Sequence, residues 1–386
     1  MYYGKKGEVS MYQKKAEKSN ESNIFKYIFE KRDTFVINEI AENLNISFPT
    51  VKKFITSLLE KNIIIETKKV GVGVGRKAME YQFNENCCYS VGALVSAKKI
   101  RFILINASGK ILKKYTYLLK TNNFENEILC STKQFIDNIN LEIKNKLIGI
   151  GISVPGIVSK EGNFIEFNSK NKIPISFNDD LKNIFNIPVL IENESNLAAI
   201  AEAFLTKNYR YSDFTVLTIN DYIGISNFHR EDLADNFFFK AGRLHHMVIE
   251  SNGKLCECGV HGCWGAYISN IALLNDFKKY FPDIKKFSDI FKPEYCESNI
   301  GKIILDDYIK YLSIGIKNIL FFSNPEKLII SGELCLYKNL IIDSLTEKIY
   351  KNHIFYRGKE TISFSTLEEK GSIIGAAMFP ILDKIF

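Results

Sequence analysis

The sequence predicts an α/β protein in which a small winged helix-turn-helix domain precedes a larger domain of strands and helices. Three observations support this prediction. Helical apolar faces fill most of the first 60 residues, and two strand-like runs around a glycine-rich loop follow them. Beyond residue 87, strand-like runs alternate with helical stretches, which is typical of α/β folds. Three cysteines lie close together in the second half of the chain. We expect one domain over residues 1–86 and a second over residues 87–386.

The composition is that of an intracellular protein. The chain has 386 residues, 46% of them hydrophobic, which is enough for two or three domains with buried cores. Its first residues are polar and lysine-rich, and no apolar run reaches the roughly 18 residues that a membrane span needs. The eight cysteines suit metal ligation in a reducing compartment better than a disulfide framework. We therefore expect a cytoplasmic protein without a membrane partner.

The first helices have the spacing of a helix-turn-helix. Packed helical faces are predicted over residues 23–30 and 36–43. After a tight turn, Ser47 is the expected N-cap, with Pro49 in the first turn of a third helix. A recognition helix contacts bases and phosphates near its N-terminal end, so DNA contacts are expected here. A small packing module without nucleic acid is the alternative. The predicted contact residues are Ser47, Phe48, Thr50, Lys52 and Lys53.

A two-stranded wing follows the third helix. Strands are predicted at residues 62–66 and 79–83, and the run VGVGVGRK lies between them. Glycines let a wing tip approach the DNA backbone, and Arg76 and Lys77 supply positive charge. A nucleotide-binding loop would need a helix after the glycines, and here a strand follows. Residues 52–77 hold much of the net charge of +7, although a solvated lysine-rich face would look the same.

The larger domain contains strand-like runs separated by helical stretches. Its first two runs are joined by a turn at residues 107–110 and so form a hairpin. Such a start is seen in the two-lobed actin and hexokinase ATPase fold, which is ribonuclease H-like, and we predict this fold. The runs are 89–95, 100–105, 147–153, 189–191, 214–219 and 328–331.

A cysteine loop predicts a metal site. Cys256, Cys258 and Cys263 form the pattern Cys-x-Cys-Gly-x-x-Gly-Cys, in which glycines let the chain fold back until the sulfurs converge. The fourth ligand should come from outside this pattern. Three buried thiols without a metal are the alternative.

Five segments resemble signatures of the ROK family of repressors and sugar kinases. With the winged module, the resemblance covers nearly the whole chain and is to the xylose-repressor and N-acetylglucosamine-repressor branch. It implies a regulator of carbohydrate genes such as those of xylose metabolism. The segments are GISVPGIV (151–158), IENESNLAA (191–199), His246 with CECGVHGC (256–263), PEKLIISG (325–332) and GSIIGAA (371–377).

The resemblance implies that His246 completes the metal site, because the zinc histidine of the family matches this position. His245 and His261 are rivals by proximity. Three cysteines and one histidine are a closed tetrahedral set, so we expect structural Zn²⁺.

The phosphate-binding loops of the kinases in this family are altered here. Their D-x-G-x-T hairpin reads LVSAK (94–98), and their second loop reads NDYIGIS (220–226) with a single glycine. Glu194 replaces the aspartate that serves as their catalytic base. We therefore predict no catalytic residues and no enzyme activity. An ATP-dependent kinase for a hexose or N-acyl hexosamine, with an added DNA-binding module, is the alternative function.

An effector site is also implied by the resemblance. The E-x-G-H motif of the family reads Arg243-Leu244-His245-His246, so a cation replaces an acceptor. Arg243 either binds a phosphorylated or carboxylated sugar or pairs with Glu194. Asn196 and Glu202 are expected to serve as a helix cap and a surface charge. The predicted effector residues are Asn168, Asn193, Glu194, Arg243 and His246.

Together these features predict a ROK-type repressor. The winged module is expected to bind a palindromic double-stranded operator as a homodimer or a dimer of dimers. The larger domain is expected to supply dimerisation and to sense a sugar or sugar phosphate. A third alternative is a kinase-like domain that mainly binds a partner protein.

Overall fold

The computed structural model describes residues 11–31, 33–70, 78–96, 98–121, 123–159, 164–168, 171–174, 177–206, 211–231, 236–351, 358 and 361–385. Within these ranges no helix is both long enough and apolar enough to cross a membrane. The predicted wing tip, with Arg76 and Lys77, lies outside the described residues.

The N-terminal part has the predicted order of three helices and two strands. The strands pair antiparallel, and backbone hydrogen bonds of 2.9 and 2.8 Å between Phe35 and Tyr81 add a bridge to the sheet. Asn45 makes the turn between the second and third helices in the left-handed region, at φ 52°, which asparagine tolerates better than most residues. The elements are α1 (Met11–Lys31), α2 (Ile37–Leu44), α3 (Phe48–Glu60), β1 (Ile64–Val70) and β2 (Ala78–Phe83).

Helix α1 begins twelve residues before the helix that the sequence predicts. Residues 11–22 are mostly polar, so they lack the apolar periodicity from which a packed helix is inferred. The apolar half of α1 does pack, because Ile24 and Ile28 are fully buried together with Ile40 and Val51 from the next two helices. The hydrophobic pattern therefore predicted the buried half of α1 and missed the rest.

The larger domain begins at β3 and alternates strands with helices. The strands are β3 (Tyr89–Val95), β4 (Lys99–Asn106), β5 (Ile111–Leu118), β6 (Leu147–Val154), β7 (Ile157–Val158), β8 (Phe164–Asn168), β9 (Asn171–Pro174), β10 (Val189–Asn193), β11 (Asp213–Ile219), β12 (Ile223–Glu231), β13 (Asn236–Gly242), β14 (Lys327–Gly332) and β15 (Ile362–Phe364). The helices are α4 (Phe124–Asp137), α5 (Leu141–Lys144), α6 (Phe177–Phe185), α7 (Glu194–Leu205), α8 (Gly265–Ile268), α9 (Asn270–Lys278), α10 (Pro293–Cys296), α11 (Asn299–Ser323), α12 (Ile342–Tyr350) and α13 (Gly371–Ile385).

Two five-stranded sheets repeat one topology. The first has the order β10-β6-β3-β4-β5 and the second β13-β12-β11-β14-β15. In each, the first three strands in sequence are antiparallel and the last two run parallel to the first. This repeated 3-2-1-4-5 order confirms the two-lobed ribonuclease H-like fold. The strands β5, β12, β13 and β15 were not predicted, nor were β7, β8 and β9, which form a separate three-stranded sheet. Strand β5 lies at a sheet edge with most of its residues exposed.

Helices α7 and α13 form the layer between the two sheets. Helix α13 packs on β3 and β6, α7 packs on β11 and β12, and the two helices pack on each other. Glycines permit this approach. A Cβ atom on Gly151 would lie 1.8 Å from the carbonyl oxygen of Ala376, and one on Gly375 would lie 1.8 Å from that of Leu197. The lobes are therefore joined by contacts that leave no room for a side chain.

We expect Gly375→Ala to destabilise the protein by about 2 to 3 kcal/mol, because the added methyl overlaps backbone that cannot move aside. Gly371→Ala on the same helix is the matched control. Its Cβ would meet Ser331 Oγ at 3.2 Å and Ala198 Cβ at 3.6 Å, so the expected change is below about 1 kcal/mol. Urea unfolding followed by circular dichroism measures both, and equal midpoints for the two variants would contradict this packing.

Candidate metal centre and interlobe cleft

The segment between β13 and α8 brings four ligand atoms together. One atom each from His246, Cys256, Cys258 and Cys263 lies within 4.8 Å of all the others. Nδ1 of His246 is 3.6 Å from Sγ of Cys256, and Sγ of Cys258 is 3.6 Å from Sγ of Cys263. Around a tetrahedral zinc ion, with Zn–S about 2.3 Å and Zn–N about 2.0 Å, neighbouring ligand atoms are about 3.5 to 3.8 Å apart. The cluster can therefore hold a metal ion.

Two glycines give the loop its shape. Gly259 and Gly262 have φ values of +87° and +83°, in the left-handed region that favours glycine. A Cβ on Gly262 would also lie 1.7 Å from the carbonyl oxygen of Glu250. The backbone N–H of Cys256 donates to the carbonyl of Val260 at 2.9 Å and closes the turn. The sulfurs converge because the chain reverses at these glycines.

The two rival histidines are engaged elsewhere. Nδ1 of His245 accepts a hydrogen bond from the backbone N–H of Ile223 at 3.3 Å. Burial, with a smaller effect from His246, lowers the pKa of His245 to about 4, so the ring is neutral and can accept. Nδ1 of His261 lies 2.9 Å from the carbonyl of Gly253. Of the three candidates, the structure brings only His246 to the thiols.

The thiolate forms of this cluster require a nearby positive charge to be stable. Burial raises the pKa of Cys256, and it raises that of Cys263 to about 12, with hydrogen bonds from the neighbouring cysteines adding to the effect. Clustered thiolates are unfavourable unless a positive charge lies among them, and a bound metal ion supplies that charge.

Ser96 of the first altered phosphate loop forms two hydrogen bonds across the hairpin turn. The backbone N–H and Oγ of Ser96 both donate to the carbonyl of Lys99, at 3.0 and 2.8 Å. Leu94 stands where the kinases have their acid, and it is 5% exposed within the same hydrophobic cluster as Ile373 of α13. A buried leucine cannot anchor a metal ion or its water, so the described residues of this hairpin, which exclude Ala97, lack that part of a phosphate cradle.

The second altered loop is the tip of the β11–β12 hairpin, and it is tied to its surroundings. The N–H of Asn220 donates to the carbonyl of Tyr222 at 3.0 Å, and the N–H of Asn270 donates to the carbonyl of Asn220 at 2.9 Å. The remaining glycine, Gly224, packs on α7, since a Cβ there would lie 2.1 Å from Ser195 Oγ. The glycine of this loop therefore serves packing.

Acidic side chains on one side of the cleft between the lobes interact electrostatically with basic side chains on the other side. Burial raises the pKa of Glu194 to about 7; a hydrogen bond from Asn220 and the charge of Arg101 lower it, and Asp221 raises it. Burial likewise raises the pKa of Asp221, against the charges of Lys99 and Lys98. The cations come from the first hairpin and β4, whereas Asp221 lies in the second hairpin. Electrostatic attraction between these lysines and Asp221 thus links the two altered loops.

Among the predicted effector residues, Asn193 uses its side-chain amide for hydrogen bonds within the protein. Asn193 caps α7: its Oδ1 accepts from the N–H of Ser195 at 2.9 Å, and its Nδ2 donates to the carbonyl of Gly156 at 2.8 Å. Arg243 is exposed and precedes the 3-10 turn Leu244–His246. Asn168 ends β8, and its side chain lies outside the described part of the chain.

Two expectations for α7 were wrong. Glu202 is fully buried, not a surface charge, and it accepts a hydrogen bond from Ser365 Oγ. Asn196 is 8% exposed and does not cap the helix, because its Oδ1 accepts from Ser226 Oγ of β12 at 2.8 Å. The reason is the position of α7 between the lobes, where polar residues on any face of the helix meet a neighbouring element.

The predicted DNA-contacting residues in α3 and at its N-cap are mostly exposed. Phe48 is 45% exposed and Lys52 and Lys53 are exposed, whereas Val51 and Ile55 are buried. Ser47 occupies the N-cap position without a side-chain capping bond, because its Oγ pairs with Oγ1 of Thr50 at 2.8 Å.

A cavity that the sequence did not predict lies beside the cysteine loop, the segment that carries Cys256, Cys258 and Cys263. It has a volume of about 340 Å³ and lies between the β11–β12 hairpin, the cysteine loop and α9. Among its lining residues are Tyr222, His245 and Glu257. Several of these residues lie in motifs that the sequence indicates, but the cavity could not be predicted because its walls come from segments that are distant in sequence.

A winged helix-turn-helix in front of two ribonuclease H-like lobes, with a Cys3His loop and altered phosphate loops, defines a kinase-fold protein fused to a helix-turn-helix module. The chain belongs to the ROK family, whose model matches residues 91–381.

Three known proteins illustrate the similarity. A xylose repressor of Bacillus spizizenii is 27% identical over 314 residues, which is 81% of each chain. A glucokinase of Thermotoga maritima is 24% identical over 300 residues, 71% of this chain and 91% of the glucokinase. A solved ROK family transcriptional regulator, a homologue of the E. coli MLC protein, matches with a TM-score of 0.78 at 17% identity, over 96% of this chain and 99% of that one.

We expect Cys258→Ser to remove most of the metal from the purified protein, because one of four ligands is lost. His261→Gln and Cys130→Ser are matched controls that should keep it, since neither side chain belongs to the cluster. Elemental analysis of protein prepared without added metal gives the content per chain. A fully folded wild-type protein without metal would contradict the assignment.

Proposed function

We propose that this protein is a DNA-binding transcriptional repressor of carbohydrate-related genes, with genes of xylose metabolism the first to test. The observation that carries the proposal is the exposed face of α3, where two lysines and an aromatic residue flank a buried apolar face in a helix-turn-helix. The xylose repressor similar to this chain supports the assignment of gene class. The kinase alternative is less favoured, because a buried leucine replaces the acid of the first phosphate loop and the remaining glycine of the second packs on α7.

The two parts of the chain divide the work in this proposal. Residues 1–86 bind an operator through Ser47, Phe48, Thr50, Lys52 and Lys53 of the recognition helix and through Arg76 and Lys77 of the wing. Residues 87–386 bind the effector and a second copy of the chain, because a palindromic operator is matched by a two-fold symmetric homodimer or a dimer of dimers.

The metal in this proposal is structural Zn²⁺. Three thiolates and one imidazole fill all four tetrahedral positions, so no position is left for a substrate. Zinc at this site would fix the loop that carries His246 and, through the neighbouring His245, the hydrogen bond to Ile223 in the β11–β12 hairpin. The ion would thereby hold one wall of the cleft.

The effector in this proposal is a sugar or sugar phosphate. Glu194, with a pKa of about 7, is partly protonated near neutral pH and can both donate to and accept from sugar hydroxyls. Arg243 is exposed beside the metal loop and suits a phosphate or carboxylate. Asn168, Asn193 and His246 complete the proposed set.

We expect Arg76→Ala with Lys77→Ala to weaken binding to all duplex sequences and to lower the salt slope by about one unit for each lost phosphate contact. Lys52→Ala or Thr50→Ala should instead change sequence preference, because these residues lie where a recognition helix meets base edges. Fluorescence anisotropy with operator and scrambled duplexes, across a salt series, separates the two effects.

The matched control is Lys61→Ala, which removes an exposed lysine at the far end of α3. It should leave both the salt slope and the preference unchanged. A loss of binding equal to that of the Arg76 and Lys77 variant would show that general charge, and not the wing, determines affinity.

We further expect no ATP hydrolysis and no phosphorylation of a hexose, because phosphoryl transfer needs positioned backbone donors and an acid that anchors the metal ion. Leu94 and Tyr222 occupy those places. Calorimetric titration with magnesium and ATP, followed by a coupled assay over a panel of sugars, tests this, with the Thermotoga maritima glucokinase as the positive control. Micromolar nucleotide affinity with turnover above about one per second would overturn it.

A further inference from the structure

Two adjacent cysteines occupy the joint between the winged module and the larger domain. The strand β2 ends at Phe83 and β3 begins at Tyr89, so Cys87 and Cys88 belong to a connection of five residues. Their sulfurs lie 3.8 Å apart, in contact with each other. They are distant in sequence from the metal loop and have no part in the function proposed above.

The two thiols differ in access. Cys87 is partly exposed, and Cys88 is 7% exposed within the hydrophobic cluster that includes Phe83 and Ile105. The hydrogen bond between the two side chains lowers the pKa of Cys87, and the charge of Lys146 acts in the same direction. The same interaction, with burial, raises the pKa of Cys88. This asymmetry suits an attacking thiolate beside a thiol that reacts second.

The connection is held by hydrogen bonds to both parts of the chain. Asn84 donates from its N–H to the carbonyl of Ile63 in the winged module at 2.8 Å. The carbonyl of Glu85 accepts from the N–H of Ala107 in the larger domain at 2.9 Å, and Tyr89 donates to the carbonyl of Lys146 at 3.0 Å. A change of backbone angles at the two cysteines must therefore disturb contacts on both sides.

A bond between these sulfurs would impose such a change. Adjacent Cα atoms across a trans peptide are about 3.8 Å apart, whereas disulfides usually join Cα atoms about 4.4 to 6.8 Å apart. Closing the ring therefore requires the connection to rotate or distort. Strained disulfides are easily reduced, which is the property of labile, regulatory bonds rather than structural ones.

We propose that Cys87 and Cys88 are a thiol modification site, oxidised reversibly to an intrachain disulfide by low-molecular-weight disulfides, and that this bond weakens operator binding. The Cys87 thiolate attacks a disulfide RSSR and releases RS⁻, which gives a mixed disulfide. The Cys88 sulfur then attacks the Cys87 sulfur, loses its proton and releases the second RS⁻. The two cysteines are oxidised, and RSSR is reduced to two RSH once both leaving thiolates are protonated with the protons that the two cysteines have lost.

The oxidation is independent of the function proposed above, and only its effect on DNA rests on that function. The full-length, metal-loaded protein is incubated with glutathione disulfide, and peptide 78–98, which holds both cysteines, is analysed by mass spectrometry. We expect loss of the two thiol hydrogens from this peptide and their return with dithiothreitol. Metal content is followed in parallel, so that oxidation of the metal loop is recognised.

Operator affinity is measured on the same samples. Oxidation should weaken it by about tenfold, a typical coupling between sites. Cys87→Ser and Cys88→Ser should bind the operator and resist this effect, whereas Cys130→Ser, which removes an exposed thiol elsewhere, should respond like the wild type.

Three outcomes would overturn the proposal. They are a peptide that stays reduced, a glutathione adduct on Cys87 that does not resolve, and a disulfide that leaves affinity unchanged. If the reduced protein binds no operator, the DNA-binding proposal fails alone. Hydrogen exchange at residues 84–89 then decides whether the disulfide alters the connection: faster exchange supports the inference, and unchanged exchange overturns it.

Discussion

The contact between α13, α7 and the first sheet is the constraint on which the rest of the structure depends. Because glycines at positions 151 and 375 remove side chains from this contact, α13 lies directly on backbone on both sides. The N-terminal end of α7 is thereby fixed between the lobes, and with it Glu194 and the partners of Gly224. The position of Glu194 among the charged residues of the cleft and the packing of the second phosphate loop on α7 both follow from this placement.

The metal loop and the β11–β12 hairpin are linked by two neighbouring histidines. His246 points to the sulfurs, while His245 accepts from Ile223 and stacks at a tilt against Tyr222, with ring centroids 5.5 Å apart. Adjacent residues in a 3-10 turn point in different directions, so one short turn can serve two elements. The geometry that holds His246 among the metal ligands therefore also positions His245 against the tip of the β11–β12 hairpin.

Much of the fold could be predicted because its signals are local. The apolar faces of α2 and α3, the strands that are buried on both faces such as β3, and the cysteine pattern are each visible within a few residues. The choice of His246 over His245 came from the family resemblance and not from a local signal, because what engages His245 is a hydrogen bond to Ile223 of β12. The burial of Glu202 was missed for the same reason: polar residues in the middle of a helix are usually exposed, and only the second lobe covers this one.

The winged module and the larger domain share one hydrophobic cluster, which runs from Ile28 and Phe83 through Cys88 to Met378. This shared cluster opposes independent unfolding of the two parts, because separating them at the connection would expose apolar surface on each piece, at a cost of about 25 cal/mol per Å². Fragments cut at this boundary should aggregate more readily than the intact chain. A protein with such a shared cluster is expected to unfold in one cooperative transition, and not in a separate transition for each part.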